Sequence, residues 1–303
     1  MIIKKILIIG YGSIGKRHYK ILSKFKNINT IKIITSLKIP TKLKIQFTKD
    51  EIQNYNPDYI VICSETSSHF KHLNLINTLL EKKIILIEKP IFNDLNKKIR
   101  LIKNQIYVGY NLRFHPILKY LKKYLSIDND NLLSVNIYAG SYLPGWRKNS
   151  NYIKSYSAFK NKGGGVELDL SHEIDYVTWL FGKFKISNIV NKKLSSLKIS
   201  SNDHLTILGY FPKKGIVNIT LNYYSKISCR KIIIDYDSKT IHVDLIENKL
   251  IINHLNAKKN IFKKIISFNK DDTYKDQHLS IINRNFNDVC TMNEAINHLK
   301  LIK

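Results

Sequence analysis

The first 115 residues alternate short apolar runs with amphipathic segments. Residues 6–9, 31–35, 59–63, 84–87 and 107–110 read as strands. Between them, residues 14–25 place Ile14, Ile21, Leu22 and Phe25 on one stripe of a helix, and residues 66–81 repeat Phe70, Leu73, Ile76 and Leu80 on one face. Strands alternating with helices predict βαβ units around a parallel sheet. After Pro116 the period drops to two: Val217, Ile219 and Leu221 face one way, Asn218, Thr220 and Asn222 the other. That pattern predicts an open, mainly antiparallel sheet with strands at 132–139, 205–211, 215–223, 231–236 and 240–245. Two helices are expected to interrupt it, one starting near Leu170 and one over 275–289. The chain therefore reads as an α/β protein of two domains, 1–115 and 116–303.

The junction of the first strand and first helix carries Gly10-Tyr11-Gly12-Ser13-Ile14-Gly15. This G-x-G-x-x-G turn, between strand and helix, is the fingerprint of a Rossmann dinucleotide-binding domain. Its first glycine permits the tight turn, the second lets a pyrophosphate approach the backbone, and the third lets helix and strand pack closely. The free amides and dipole at the helix start favour the phosphates. About 20 residues on, an acidic side chain would hold the ribose 2′-hydroxyl of NAD. Here the segment is Thr35-Ser36-Leu37-Lys38, and no Asp or Glu lies between Ile31 and Lys49. Ser36 and Lys38 suit a 2′-phosphate, so the expectation tilts to NADP, with NAD the alternative.

Composition changes this picture little. Fifty Lys and Arg against 23 Asp and Glu give a formal charge of +27 over 303 residues. Nucleic-acid sites cluster their charge on one face, whereas these lysines are spread evenly, so no specific nucleic-acid partner is expected and a phosphate-bearing ligand fits. No apolar stretch is long enough to span a membrane, and the apolar run at 6–9 is too short for a signal peptide, so a soluble, cytoplasmic protein is expected. Cys63, Cys229 and Cys290 lack paired CxxC spacing, which predicts reduced, structural cysteines and no metal site.

Two further segments carry candidate chemistry. Glu88-Lys89-Pro90 sets Lys89 at the carboxyl edge of the parallel sheet, where an ammonium can steady a developing alkoxide. Gly163-Gly164-Gly165-Val166-Glu167-Leu168-Asp169-Leu170-Ser171-His172-Glu173-Ile174-Asp175 leads into a helix on which Asp169 and His172, three apart, are expected to share a face. A carboxylate beside an imidazole orients a proton acceptor. Read by itself, the same segment also fits a helix N-cap at Asp169 with His172 bonded to a carbonyl.

Taken in order, the glycine turn with His18, Ser64-Glu65-Thr66-Ser67-Ser68-His69, Glu88-Lys89-Pro90, Val108-Gly109-Tyr110-Asn111-Leu112-Arg113-Phe114 and the 163–175 segment closely resemble the glucose-fructose oxidoreductase, inositol dehydrogenase and rhizopine-catabolism family, Gfo/Idh/MocA. The resemblance implies a Rossmann domain followed by an α/β domain whose open sheet often forms the contact of a homo-oligomer, with substrate bound between the two. It implies a catalytic lysine at Lys89 and a catalytic pair at Asp169 and His172. It also implies that Ser64, Thr66 and His69 line the cofactor site, with Glu88 and Asn111 near the nicotinamide ribose and amide. Many members place the histidine four residues after the aspartate, one more than in this chain, while His172-x-x-Asp175 keeps the family spacing.

The expected activity is NAD(P)-dependent hydride transfer to or from a secondary alcohol of a sugar, cyclitol or sugar nucleotide. Arg113, Trp146, Arg147 and Tyr152 are candidates for holding substrate, since aromatic faces with arginines suit sugars. Leu143-Pro144-Gly145-Trp146-Arg147, with Tyr152 and Tyr156, resembles members associated with bacterial surface sugars and nonulosonic acids. The alternative is a dinucleotide-sensing regulatory protein without chemistry.

Overall fold

A computed structural model describes residues 3–96, 99, 102–147, 151–212, 215–255, 261–265 and 268–302. The first sheet is assembled from β1 (Lys5–Ile9), β2 (Thr30–Ile34), β3 (Tyr59–Ile62), β4 (Ile84–Ile87) and β5 (Gln105–Val108), all parallel. β3 and β4 are buried at every position, as their unbroken apolar runs require of central strands. The helices that follow the first three strands are α1 (Ser13–Leu22), α2 (Lys49–Tyr55) and α3 (Thr66–Leu79). Thr48 caps α2, its hydroxyl accepting from the Glu51 amide, a signal set in a polar stretch without a clear apolar stripe.

Residues 115–268 form a second compact unit. It opens on α4 (Pro116–Leu125), which starts where a change to strands was expected. Proline at the first helical position needs no amide partner, the His115 ring accepts from the Ile117 amide, and Ile117, Leu118 and Leu121 form a buried stripe. Then come β6 (Leu132–Gly140), α5 (Val166–Asp169), α6 (His172–Phe181), β7 (Lys185–Lys192), β8 (His204–Tyr210), β9 (Ile216–Asn222), β10 (Cys229–Tyr236), β11 (Lys239–Asp244), β12 (Lys249–His254) and β13 (Ile261–Lys264). The strands build one eight-stranded sheet, β13-β12-β11-β10-β6-β9-β8-β7, parallel only between β6 and β9. Its inward face is apolar, with Val217, Ile219 and Leu221 fully buried. The expected open, mainly antiparallel sheet is therefore present. It gains β7, β12 and β13, which were not anticipated; β7 is mostly exposed and so shows no clear alternation.

The chain ends in α7 (Lys270–Ile282), β14 (Cys290–Thr291) and α8 (Met292–Ile302). These belong to the first unit: residues 269–303 cluster with 1–114, α7 packs on α1, and β14 adds antiparallel to the edge strand β5. A second domain running on to residue 303 is thus corrected at its C-terminal end, because α7 and β14 cover a helix face and a sheet edge that residues 1–114 leave open. α7 also begins and ends earlier than the expected 275–289, set by the Asn269 side chain accepting from the Asp271 amide. Among the described residues no helix is long and apolar enough to cross a membrane.

Candidate active site

Parallel pairing fixes where the first unit presents its functional groups. Ile34, Ile9, Ile62, Ile87 and Val108 are register partners across the sheet. The residues that follow them, Thr35, Gly10, Cys63, Glu88 and Gly109, therefore stand in a row at the carboxyl edge, where open α/β sheets bind ligands.

Gly10 has φ +97°, and a Cβ there would lie 2.6 Å from the Ser64 amide nitrogen. A Cβ on Gly15 would sit 2.2 Å from the Gly10 carbonyl oxygen, so only glycine lets α1 approach β1 this closely. At Gly12, the N-cap of α1, an added Cβ would meet nothing within 4 Å. The turn is thus closed on the protein side at Gly10 and Gly15 and open at Gly12, with Gly12 and Ser13 exposed and Tyr11 and Ile14 half-buried. That is the cradle a pyrophosphate needs, and α1 has no acidic residue in its first turn to repel it. The residues present fit a dinucleotide.

Ser36 and Lys38 are exposed just beyond β2. Ser64 bonds the His72 ring, 2.8 Å, and Thr66 is buried at the first position of α3. His69 is buried, with its ring nitrogens 3.0 Å from the Ser64 and Pro90 carbonyl oxygens. Burial lowers its pKa, opposed by those carbonyls. It ties the start of α3 to the Glu88-Lys89-Pro90 turn. Lys89 is half-buried, and its amide donates to the Glu88 carboxylate at 3.3 Å. Glu88 is itself buried, 3.0 Å from the His18 ring. Asn111 donates to the Thr273 hydroxyl of α7, 2.6 Å. Arg113, expected at substrate, is 1% exposed and pairs with Glu294 of α8 at 2.9 Å. This ion pair, buried on the arginine side and partly exposed at Glu294, fastens the C-terminal helix.

The second unit gathers its candidates around Asp169. The expectation that Asp169 and His172 share one helix is corrected: Asp169 is the last residue of α5, His172 the first of α6, and Leu170 and Ser171 break the turn between them. The Ser171 hydroxyl donates to the Leu168 carbonyl at that break. Asp169 is buried, and its two carboxylate oxygens accept from the hydroxyls of Tyr156, 2.9 Å, and Tyr223, 2.6 Å. The Asp169 charge, then burial, raise Tyr156 well above the ordinary phenol range; burial, then Asp169, do the same for Tyr223. Both phenols therefore stay protonated as donors. Gly164 makes this geometry possible, since a Cβ there would lie 2.3 Å from the Tyr156 carbonyl oxygen.

Trp146 stands edge-on to Tyr223, ring centroids 5.2 Å apart, its indole donating to Ser141. Arg147 lies over the Tyr156 ring at 5.9 Å. Tyr152 stands apart from this cluster, its hydroxyl accepting from the Lys198 amide at 3.3 Å. His172 is half-buried at the start of α6. The next residue, Glu173, is fully buried and pairs with Arg230 of β10, 2.7 Å. The role of Tyr223 was not seen in the sequence. A signal existed, because it continues the buried parity of Val217, Ile219 and Leu221, and a buried phenol needs a partner for its hydroxyl.

Comparison with known proteins agrees with this architecture. Residues 4–105 match the model of an oxidoreductase family's NAD-binding Rossmann fold, and residues 126–303 match the C-terminal α/β domain of the same family. An uncharacterized oxidoreductase of Synechocystis is 29% identical over 136 residues, which span 42% of this chain and 36% of that protein. Among solved structures, a UDP-N-acetylglucosamine 3-dehydrogenase from Acidithiobacillus ferrooxidans superposes with TM-score 0.75 at 15% identity, over 99% of this chain and 96% of that one. The WlbA dehydrogenase of Bordetella pertussis, in complex with NADH and UDP-GlcNAcA, gives TM-score 0.78 at 15% identity, covering 99% and 93%. At these identities the two structures share the fold.

Proposed function

The chain belongs to the Gfo/Idh/MocA oxidoreductase family, and from that premise we propose that it transfers hydride between a nicotinamide dinucleotide and a secondary alcohol of a sugar or cyclitol, most specifically a sugar nucleotide. The observation that carries this reading is the glycine turn, closed at Gly10 and Gly15 and open at Gly12, on the same sheet edge as Glu88 and Lys89. The names of the two solved relatives, which carry UDP-linked sugars, favour a sugar nucleotide.

The dinucleotide, when bound, supplies the hydride donor or acceptor. Gly12 and the first turn of α1 receive its phosphates, Ser64, Thr66 and Asn111 bound its site, and exposed Ser36 and Lys38 suit a 2′-phosphate, so NADP is preferred. His72 and His69 hold Ser64 and its turn in place. His172 takes the proton of the reacting hydroxyl. Lys89 steadies the oxygen as that proton leaves. Asp169, fixed by Tyr156 and Tyr223, is the acidic partner of His172. Trp146, Arg147 and Tyr152 bind substrate. The outward face of the second sheet exposes Tyr138, Leu208, Tyr210 and Ile216 together, and we read it as the contact with a second copy of the chain.

Absorbance at the reduced-nicotinamide band, followed with a panel of UDP-sugars and free polyols, tests the reading. Lys89→Met should abolish turnover and leave dinucleotide affinity nearly intact. A Lys89→Met protein that turns over like the parent removes the assignment, and a parent that binds dinucleotide but oxidises no alcohol favours a sensor.

A further inference from the structure

Four buried side chains of the first unit form a continuous chain of hydrogen bonds. The Tyr59 hydroxyl lies 2.9 Å from His278 Nδ1, His278 Nε2 lies 2.8 Å from His18 Nδ1, and His18 Nε2 lies 3.0 Å from Glu88 Oε1. Tyr59, His278 and His18 are each 0% exposed and Glu88 8%. The residues come from β3, α7, α1 and the turn after β4, so no short motif contains them.

With one N–H on each ring, the chain runs in one direction. At one end a Glu88 carboxylate oxygen is the acceptor, and His18 donates to it from Nε2. With one N–H per ring, His18 Nδ1 then accepts from His278 Nε2–H, and His278 Nδ1 accepts from the Tyr59 O–H. Burial, aided by the Glu88 charge, holds Tyr59 well above the ordinary phenol range, so it keeps that proton; burial holds His278 well below its ordinary value, so its ring stays neutral. Reversing the chain would aim a His18 lone pair at the carboxylate. Around Glu88 the space is also fixed, because a Cβ on Gly109 would lie 2.8 Å from Oε1.

We propose that His18, His278 and Tyr59 are positioning residues that hold the Glu88 carboxylate oriented at the dinucleotide edge, making α7 a working part of the cofactor site. This rests on the proposed function, in which the edge takes a dinucleotide. Tyr59 closes the chain: without its hydroxyl, His278 keeps a buried, unsatisfied lone pair whenever it donates towards His18, and the hold on Glu88 loosens.

Long-range ¹⁵N–¹H spectra of histidine-labelled protein, recorded without dinucleotide, read the chain directly. Both His18 and His278 should be Nε2–H tautomers; an Nδ1–H tautomer at either overturns the proposal. Steady-state kinetics then read its purpose. Tyr59→Phe should raise the KM for dinucleotide roughly three- to tenfold with kcat within about twofold, at temperatures where its melt shows it folded. Gly109→Ala presses on Glu88 Oε1, the far end of the chain from Tyr59, and should raise the same KM, which keeps the test decisive should Tyr59→Phe not fold. Folded variants with the parental KM overturn the proposal. Nε2–H tautomers in a parent that binds no dinucleotide would instead overturn the proposed function, and with it the purpose assigned to an intact chain.

Discussion

In the first unit the proposed phosphate cradle is backbone, drawn from six consecutive residues at 10–15; in the second the proposed catalytic group is a side chain, Asp169, held by Tyr156 and by Tyr223 from separate parts of the chain. A backbone site is specified by what must be missing. Cβ atoms at Gly10 and Gly15 would collide with the protein itself, and one at Gly12 would occupy the space left for a ligand. A side-chain site is specified by what must be present and by the fold that delivers it. The two therefore fail differently under mutation.

Substitution within the glycine turn should show the largest effects. Gly10→Val meets both a positive φ and the backbone of Cys63 and Ser64, and should cost at least about 3 kcal/mol in thermal or urea melts. Gly12→Ala should leave the melt unchanged and weaken dinucleotide binding roughly tenfold or more by fluorescence titration. If the two variants behaved alike, the division of the turn into a closed side and an open side would be wrong.

In the second unit, Asp169→Asn should lower kcat about 10²- to 10⁴-fold with dinucleotide affinity unchanged. Loss of affinity instead would move Asp169 to the cofactor. Tyr223→Phe, by removing a buried donor from a buried carboxylate, should cost about 1–3 kcal/mol in stability, and Tyr156→Phe less, since Tyr156 is only half-buried. Equal costs would indicate that burial does not set the strength of this clamp.

Acid should separate the units more gently. Burial depresses His72 to about 4, His278 well below 6.5 and His69 more modestly, all in the first unit. In the second, burial depresses His115 to about 4 and His204 more modestly. A depressed histidine is neutral when folded and takes up a proton on unfolding, so below about pH 6.5 the unfolded state binds more protons and stability falls with pH until the folded value is passed. The melting temperature should therefore drop between pH 7 and 5, and hydrogen exchange should show residues 1–114 and 269–302 losing protection first. Earlier loss in residues 115–268 would contradict the assignment.

How much of this was legible follows from the same contrast. The parallel strands, the glycine turn and the sheet edge bearing Glu88 and Lys89 could be read because each depends on local periodicity or on residues adjacent in sequence. The partners of Asp169 could not, because Tyr223 reaches it only through the folding of β9 beneath α5. The break at Leu170 and Ser171 was hidden by a pattern that continues smoothly through it. The ion pair of Arg113 with Glu294 could not be read either, because only the return of α8 brings Glu294 to it. The helix at α4 was obscured by taking Pro116 as a boundary, when proline at a first helical position is a start signal.

The return of residues 269–302 to the first sheet makes the second unit, in topological terms, an insertion. A nucleotide-binding fold is begun, interrupted after Phe114 by residues 115–268, and completed by α7, β14 and α8. During synthesis the inserted unit has its whole sequence available before its host does. Until α7 and β14 emerge, β5 remains an open edge and the His18 ring lacks the helix that buries it, so the cofactor fold closes after the unit inserted into it.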